Sequence, residues 1–292
     1  MIPLSDELRF NLNRRLPNGE LKPLKKPYFS FQDQWLETTI TRLGLAGESF
    51  PEQWHQREWS WIGERIIEYP WLAYLLQNHQ PKTYLDVGSV ANHPILEPLL
   101  AAVQPQLFFL NPSPEPSRLH YPFVSLQGDG RSYEFTQDLR FDLISALSTL
   151  EHVGLDTRRY GGPGGETLEN PDHPEQEALR TLLHLGPYLA PNGTIAWSVP
   201  YGPFEYLYDF GKPNLPIYYA FDASRLQAVI DGLKAQQWVS KVSIYKVIPE
   251  IGWEKTSMED HSILPYGVHC PGAGAVALIE SRKASPIFPH HR

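Results

Sequence analysis

Lys82–Pro94, KTYLDVGSVANHP, is the stretch that decides the fold. A short apolar run, Tyr84-Leu85, leads into Asp86-Val87-Gly88, and a helical segment runs from Pro94 to Val103. Strand, tight turn and helix in that order open an α/β unit whose ligand site lies at the carboxyl end of the strand. Proline suits the first helical position because its missing N–H would have no intrahelical partner there, and Asn92 or His93 is placed to cap the helix. Gly88 admits either of two readings: a backbone that lets a ligand approach, or an ordinary turn after a strand.

Downstream of this unit the pattern repeats. Strands are expected at 106–111 (QLFFLN), 123–127, 141–147 (FDLISAL), 194–199, 239–247 and 275–281, with helices at 174–189 and 223–235. With 83–88 this makes a doubly wound, mostly parallel sheet of seven strands, a Rossmann-like α/β fold. Upstream, helices are expected over 31–45 and 58–79, the second broken after Tyr69 because Pro70 lies inside it. The domain reading is an N-terminal arm and helix over 1–57, one α/β domain over 58–283, and a tail over 284–292. Insertions at 154–172 and 249–274 interrupt the domain, and loops longer than ~15 residues inside a compact domain are usually functional.

Composition narrows the classes. The chain has 292 residues and a net charge of −8, which argues against a general nucleic-acid binder, since that role needs clustered Lys and Arg. One cysteine, Cys270, permits no intramolecular disulfide and fits a reducing, cytoplasmic setting. No run approaches the ~18 apolar residues of a membrane span, and the N-terminus lacks a signal-peptide core. The Trp-rich N-terminal region is a candidate subunit contact in a homo-oligomer. Trp253, His261, His269 and Cys270 in the second insertion supply too few close ligands for zinc, so no metal is expected.

Several reactions are disfavoured by missing parts. Ser89-Val90-Ala91-Asn92 follows Gly88, so the three-glycine dinucleotide fingerprint is absent. Tyr208 and Lys212 have dehydrogenase spacing, but Gly211 and Pro213 oppose a helix there. No Gly-x-Ser-x-Gly elbow exists for a serine hydrolase.

YLDVGS, then GDGRS, then FDLISALSTLEHVGL, then LAPNGTIAWSVPYG resembles the class I S-adenosylmethionine-dependent methyltransferases. STLEHVGL, a loop with Arg-Tyr-Gly, and the lead-in ERIIEYPW are similar to a bacterial group within that superfamily. The resemblance covers roughly 58–281. It implies S-adenosylmethionine as cofactor, with Asp86, Gly88 and Ser89 flanking its methionine part, Asn111 facing the ribose, Asp129 the adenine, and Leu147 and Ser148 closing over it. Asn111 stands where an acid is usual. The likeness also implies O-methylation of a small molecule or a sugar or polysaccharide precursor. His152 is then the candidate base because an imidazole titrates near neutrality, and Arg159, Tyr160 and Tyr201 are candidates for the acceptor. The altered glycine loop and Asn111 keep a second reading open, a methyltransferase fold that binds or scaffolds without catalysis.

Overall fold

The computed structural model describes residues 26–45, 47–155, 158, 168–208 and 216–284. In chain order the elements are α1 (Lys26–Ile40), β1 (Gln53–Trp54), α2 (Arg65–His79), β2 (Thr83–Val87), α3 (Glu97–Val103), β3 (Gln106–Asn111), β4 (Phe123–Gln127), β5 (Phe141–Leu147), α4 (Glu175–Leu185), β6 (Leu189–Tyr201), β7 (Glu205–Tyr208), β8 (Pro216–Ala220), α5 (Ala223–Ala235), β9 (Trp238–Ile248), β10 (Gly252–Thr256) and β11 (Ala275–Lys283).

One nine-stranded sheet runs in the order β1-β10-β9-β11-β6-β5-β2-β3-β4, and β7 and β8 form a separate hairpin. Strands β2 to β6 are parallel to one another, while β11 is antiparallel to both β6 and β9. The chain walks outward from β2 through β3 to β4, then returns to lay β5 on the other side of β2. That reversal puts a crevice at the carboxyl ends of β2 and β5.

The sheet separates two apolar layers, and the period-two alternation of strands assigns each residue to one of them. Leu85, Val87, Phe108, Leu110, Ile144 and Ala146 face the layer under α4 and α5. Tyr84, Leu107, Phe109, Leu143 and Leu147 face the layer under α1, α2 and α3. Both faces of the central strands are covered, so they read as continuous apolar runs.

Nine strands stand where seven were expected. The extra pair, β10 and β1, arises because 252–256 of the second insertion folds back on β9 and then accepts two residues from the N-terminal region, Gln53 and Trp54. Pro70 does not break α2, which continues to His79; the break lies earlier, between a 3-10 turn at Arg57–Trp61 and Arg65. Pro70, the sixth residue of α2, forfeits the hydrogen bond an N–H there would give the Ile66 carbonyl, and the buried side chains around it, Ile66, Ile67, Trp71 and Leu72, hold the helix to the core. Pro191-Asn192-Gly193, just ahead of the strand expected at 194–199, lies inside the longer β6. The register there jumps from Phe141↔Leu189 to Leu143↔Thr194, and Asn192 takes a left-handed φ of 67°. In the N-terminal region Trp59 packs edge-on against Trp35 and tilted against Trp54, in the layer under α1, α2 and α3.

Candidate active-site cleft

A cleft of ≈ 400 Å³ opens at the reversal point. Its wall is built from strand-end loops: Val87, Gly88 and Val90 after β2, Asn111, Ser113 and Glu115 after β3, Gly128 to Arg131 after β4, and Ser148, Thr149, His152 and Leu155 after β5. Arg65 at the start of α2 and Thr181 on α4 complete it. Two non-glycine residues beside it are held left-handed, Ser89 at φ 56° and Ser148 at φ 38°. Such conformations persist only where surrounding contacts enforce them, and they concentrate at binding and catalytic sites.

Asp86 is fully buried below the cleft rather than in its wall. Its carboxylate accepts the Ala91 N–H at 2.7 Å and a short hydrogen bond from the Ser145 hydroxyl, which is itself 2.7 Å from the Tyr84 hydroxyl. Burial pushes its pKa up to about 7 against the opposing effect of these bonds. Asp86 therefore shapes the 87–91 loop from beneath. Gly88 has φ +93°, and a Cβ there would come within 2.2 Å of Thr149 Oγ1. The glycine is required by its backbone and by Thr149, whose single O–H is shared between the Val87 and Leu147 carbonyls, at 3.1 and 2.9 Å, at the ends of β2 and β5. Leu147 itself is buried and, like Ser89, is not part of the wall.

A charged shell links α2 to these loops. Glu68 is fully buried; one carboxylate oxygen accepts from the Ser148 and Ser198 hydroxyls at 2.6 and 2.5 Å, and the other pairs with Arg65 at 2.7 Å. Glu64, buried beside it, accepts the Ala273 N–H, and burial together with the Glu68 charge lifts its pKa to about 7. Burial drives the Glu151 carboxyl well above the usual range, and its Oε2 has no hydrogen-bond partner. Although burial disfavours its charge, Arg65 is held protonated by the acids around it.

His152 lies in a short 3-10 turn, Leu150–His152. Its Nδ1 is 2.7 Å from the Ile217 carbonyl on β8, its ring packs on Tyr218, and its Nε2 is 3.9 Å from Glu151 Oε1. On the opposite flank Asp129 is clamped by Arg131, with Nη2 2.6 Å and Nε 3.0 Å from its Oδ2 and the backbone N–H 2.8 Å from its Oδ1. Burial raises the Asp129 pKa, but these bonds outweigh it and hold the group below its ordinary value. Arg131 also reaches Glu177 at 2.9 Å.

Of the residues expected from sequence, Gly88, Asn111, Asp129, Ser148 and His152 thus share one cleft. Tyr201 is 3 % exposed and donates to the Met258 carbonyl, away from the cleft wall. Arg159 and Tyr160 lie outside the described residues. Arg65, Thr149 and Glu115 were not anticipated. For Arg65 a signal existed: Glu64, Arg65 and Glu68 interrupt an otherwise apolar helix face.

These features define a Rossmann-like methyltransferase fold, with an antiparallel strand between the fifth and sixth parallel positions of the sheet. The sequence matches no protein-family model and no curated protein. Similar solved structures include N-methyltransferase NodS from Bradyrhizobium japonicum WM9, in complex with S-adenosylhomocysteine, at 11% identity and TM-score 0.40, covering 97% of this chain and 100% of that one. Another is the 1,6-didemethyltoxoflavin-N1-methyltransferase of Burkholderia thailandensis, with bound 1,6-didemethyltoxoflavin and S-adenosylhomocysteine, at 12% identity and TM-score 0.43, covering 90% and 92%. A third is a SAM-dependent methyltransferase from Methanosarcina mazei, at 10% identity and TM-score 0.44, covering 72% and 98%.

Proposed function

We propose that this chain is an S-adenosylmethionine-dependent methyltransferase acting on a hydroxyl of a small molecule, with a sugar or polysaccharide precursor as acceptor. The observation that carries the reading is the convergence in one cleft of Arg65, the strand-end loops of β2 to β5, and His152 with Nδ1 tied to a backbone carbonyl.

The donor set fits the cofactor. Its volume is in the range of nucleotide-sized sites. Arg65 offers a cation for an amino-acid carboxylate, and the turn at Gly128–Arg131 with Val87 and Leu155 offers a mixed polar and apolar seat for a purine. When bound, S-adenosylmethionine supplies an electrophilic methyl carbon on sulfonium.

The chain's own work is then alignment and proton removal. A carbonyl only accepts, so His152 Nδ1 carries the hydrogen toward Ile217 and Nε2 is the basic nitrogen. Nε2 would take the acceptor's hydroxyl proton as the oxygen attacks, and an amine acceptor would use the same nitrogen. Calorimetric titration with S-adenosylmethionine and S-adenosylhomocysteine tests the reading, followed by assays of S-adenosylhomocysteine release with sugar and nucleotide-sugar acceptors. Saturable micromolar binding and acceptor-dependent release are expected.

The second reading, a binding or scaffold protein with this fold, draws on Thr149 filling the space above Gly88 and on Asn111 at the end of β3. Absence of binding at millimolar ligand would select it.

A further inference from the structure

We infer that Glu115, four residues beyond the end of β3, is the group that takes the two ribose hydroxyls of the nucleoside ligand; this rests on the cofactor reading above. A vicinal diol presents two O–H donors side by side. A carboxylate has two oxygens to accept them, whereas a carboxamide has only one acceptor oxygen. In a doubly wound sheet the ribose lies near the carboxyl end of the second strand. Here that strand ends in Asn111, whose amide Nδ2 donates to the Ser89 hydroxyl, so the side chain is turned onto the neighbouring loop.

The described wall of the cleft contains two acids, Asp129 and Glu115. Asp129 is engaged on both oxygens by Arg131. Glu115 arrives by a specific route. The segment 111–118 (NPSPEPSR) has prolines at 112, 114 and 116, which fix its φ angles and leave it few backbone donors. Asn92, on the loop after β2, clamps it from both sides: its Nδ2 donates to the Pro116 carbonyl at 3.0 Å, and its Oδ1 accepts the Arg118 N–H at 2.9 Å. The His120 N–H is held by Glu97 at 2.6 Å. The loop after β3 is therefore folded back over the loop after β2. This brings the Glu115 carboxylate to the cleft mouth, on the side of Ser89 and Asn92. The acid missing from the strand end is thus supplied from the loop.

The test is calorimetry on the full chain and on Glu115→Gln, with S-adenosylhomocysteine, adenosine and 2′,3′-dideoxyadenosine as ligands, and melting curves to compare folding. A charge-assisted pair of hydrogen bonds predicts about 10- to 100-fold weaker S-adenosylhomocysteine binding in Glu115→Gln. The preference of the unaltered chain for adenosine over its dideoxy analogue should collapse in the variant. Undiminished affinity or a retained diol preference in Glu115→Gln would overturn the inference. If the unaltered chain binds adenosine with a Glu115-dependent diol preference but not S-adenosylhomocysteine, the methyltransferase reading fails and the Glu115 assignment stands. If it binds no nucleoside, both fall.

Discussion

Nδ1 of His152 lies 2.7 Å from the carbonyl oxygen of Ile217, so a strand of the β7–β8 hairpin sets the tautomer of a histidine in the cleft beside β5. The hairpin thereby acts on the site without lining it. The expected consequence is a split between chemistry and binding. His152→Ala should lower turnover by ~10²-fold or more, the usual worth of a positioned base, while S-adenosylhomocysteine affinity stays within about twofold. Unaltered turnover in a folded variant would remove His152 from the mechanism.

Asp86 links stability to pH. Its pKa is about 7 in the fold, against an ordinary carboxylate value when unfolded, so folding takes up a proton between those limits. Its contribution is therefore fully favourable below about pH 4 and is lost as pH rises through about 7, on the order of 4 kcal/mol. Glu64 contributes with the same sign. Asp86→Asn can keep the Ala91 bond through its carbonyl and donate its amide to Ser145. Urea melts from pH 4 to 8 should show a flatter stability profile for this variant than for the unaltered chain. Parallel profiles would show that Asp86 is not the titrating group.

Gly88 and Thr149 form a coupled pair. Gly88→Ala puts a methyl into Thr149 Oγ1 and forces alanine to φ +93°, so stability should fall by roughly 2–3 kcal/mol. In a Thr149→Ala background the clash with the hydroxyl and methyl is gone, leaving the backbone strain and a tight 3.0 Å contact with the remaining Cβ. The second cost should be smaller by about 1 kcal/mol, measured as the interaction term of a double-mutant cycle. Simple additivity would mean that the backbone angle alone demands glycine.

Local patterns made much of the sheet legible. β3, β4, β5 and α5 have the bounds expected from sequence, because each is an apolar or periodic run closed by turn residues. β1 is two residues long and has no pattern to read; it exists because Gly252, at φ +136°, lets the backbone at Trp54 come closer than a Cβ would allow. Within the site, motifs reached Gly88 and Ser148, which follow their strands directly, and His152, five residues beyond the end of β5. Glu115 could not be found this way, since its place depends on a clamp from Asn92, 23 residues earlier in sequence and adjacent only in the fold.

Arg65 provides the sharpest separation of binding from structure. It is a cation of the cleft wall on α2, and one of its N–H groups already serves Glu68. If the guanidinium receives the carboxylate of the cofactor's amino-acid part, Arg65→Lys should weaken S-adenosylhomocysteine binding by about tenfold or more, because the planar fork is lost. 5′-Methylthioadenosine lacks that carboxylate, so its affinity should be unaffected by the same change. Lysine keeps a positive charge near Glu64, Glu68 and Glu151, which avoids leaving three buried acids uncompensated, as Arg65→Ala would. Equal losses for both ligands in Arg65→Lys would mean that Arg65 serves the helix and its acids alone.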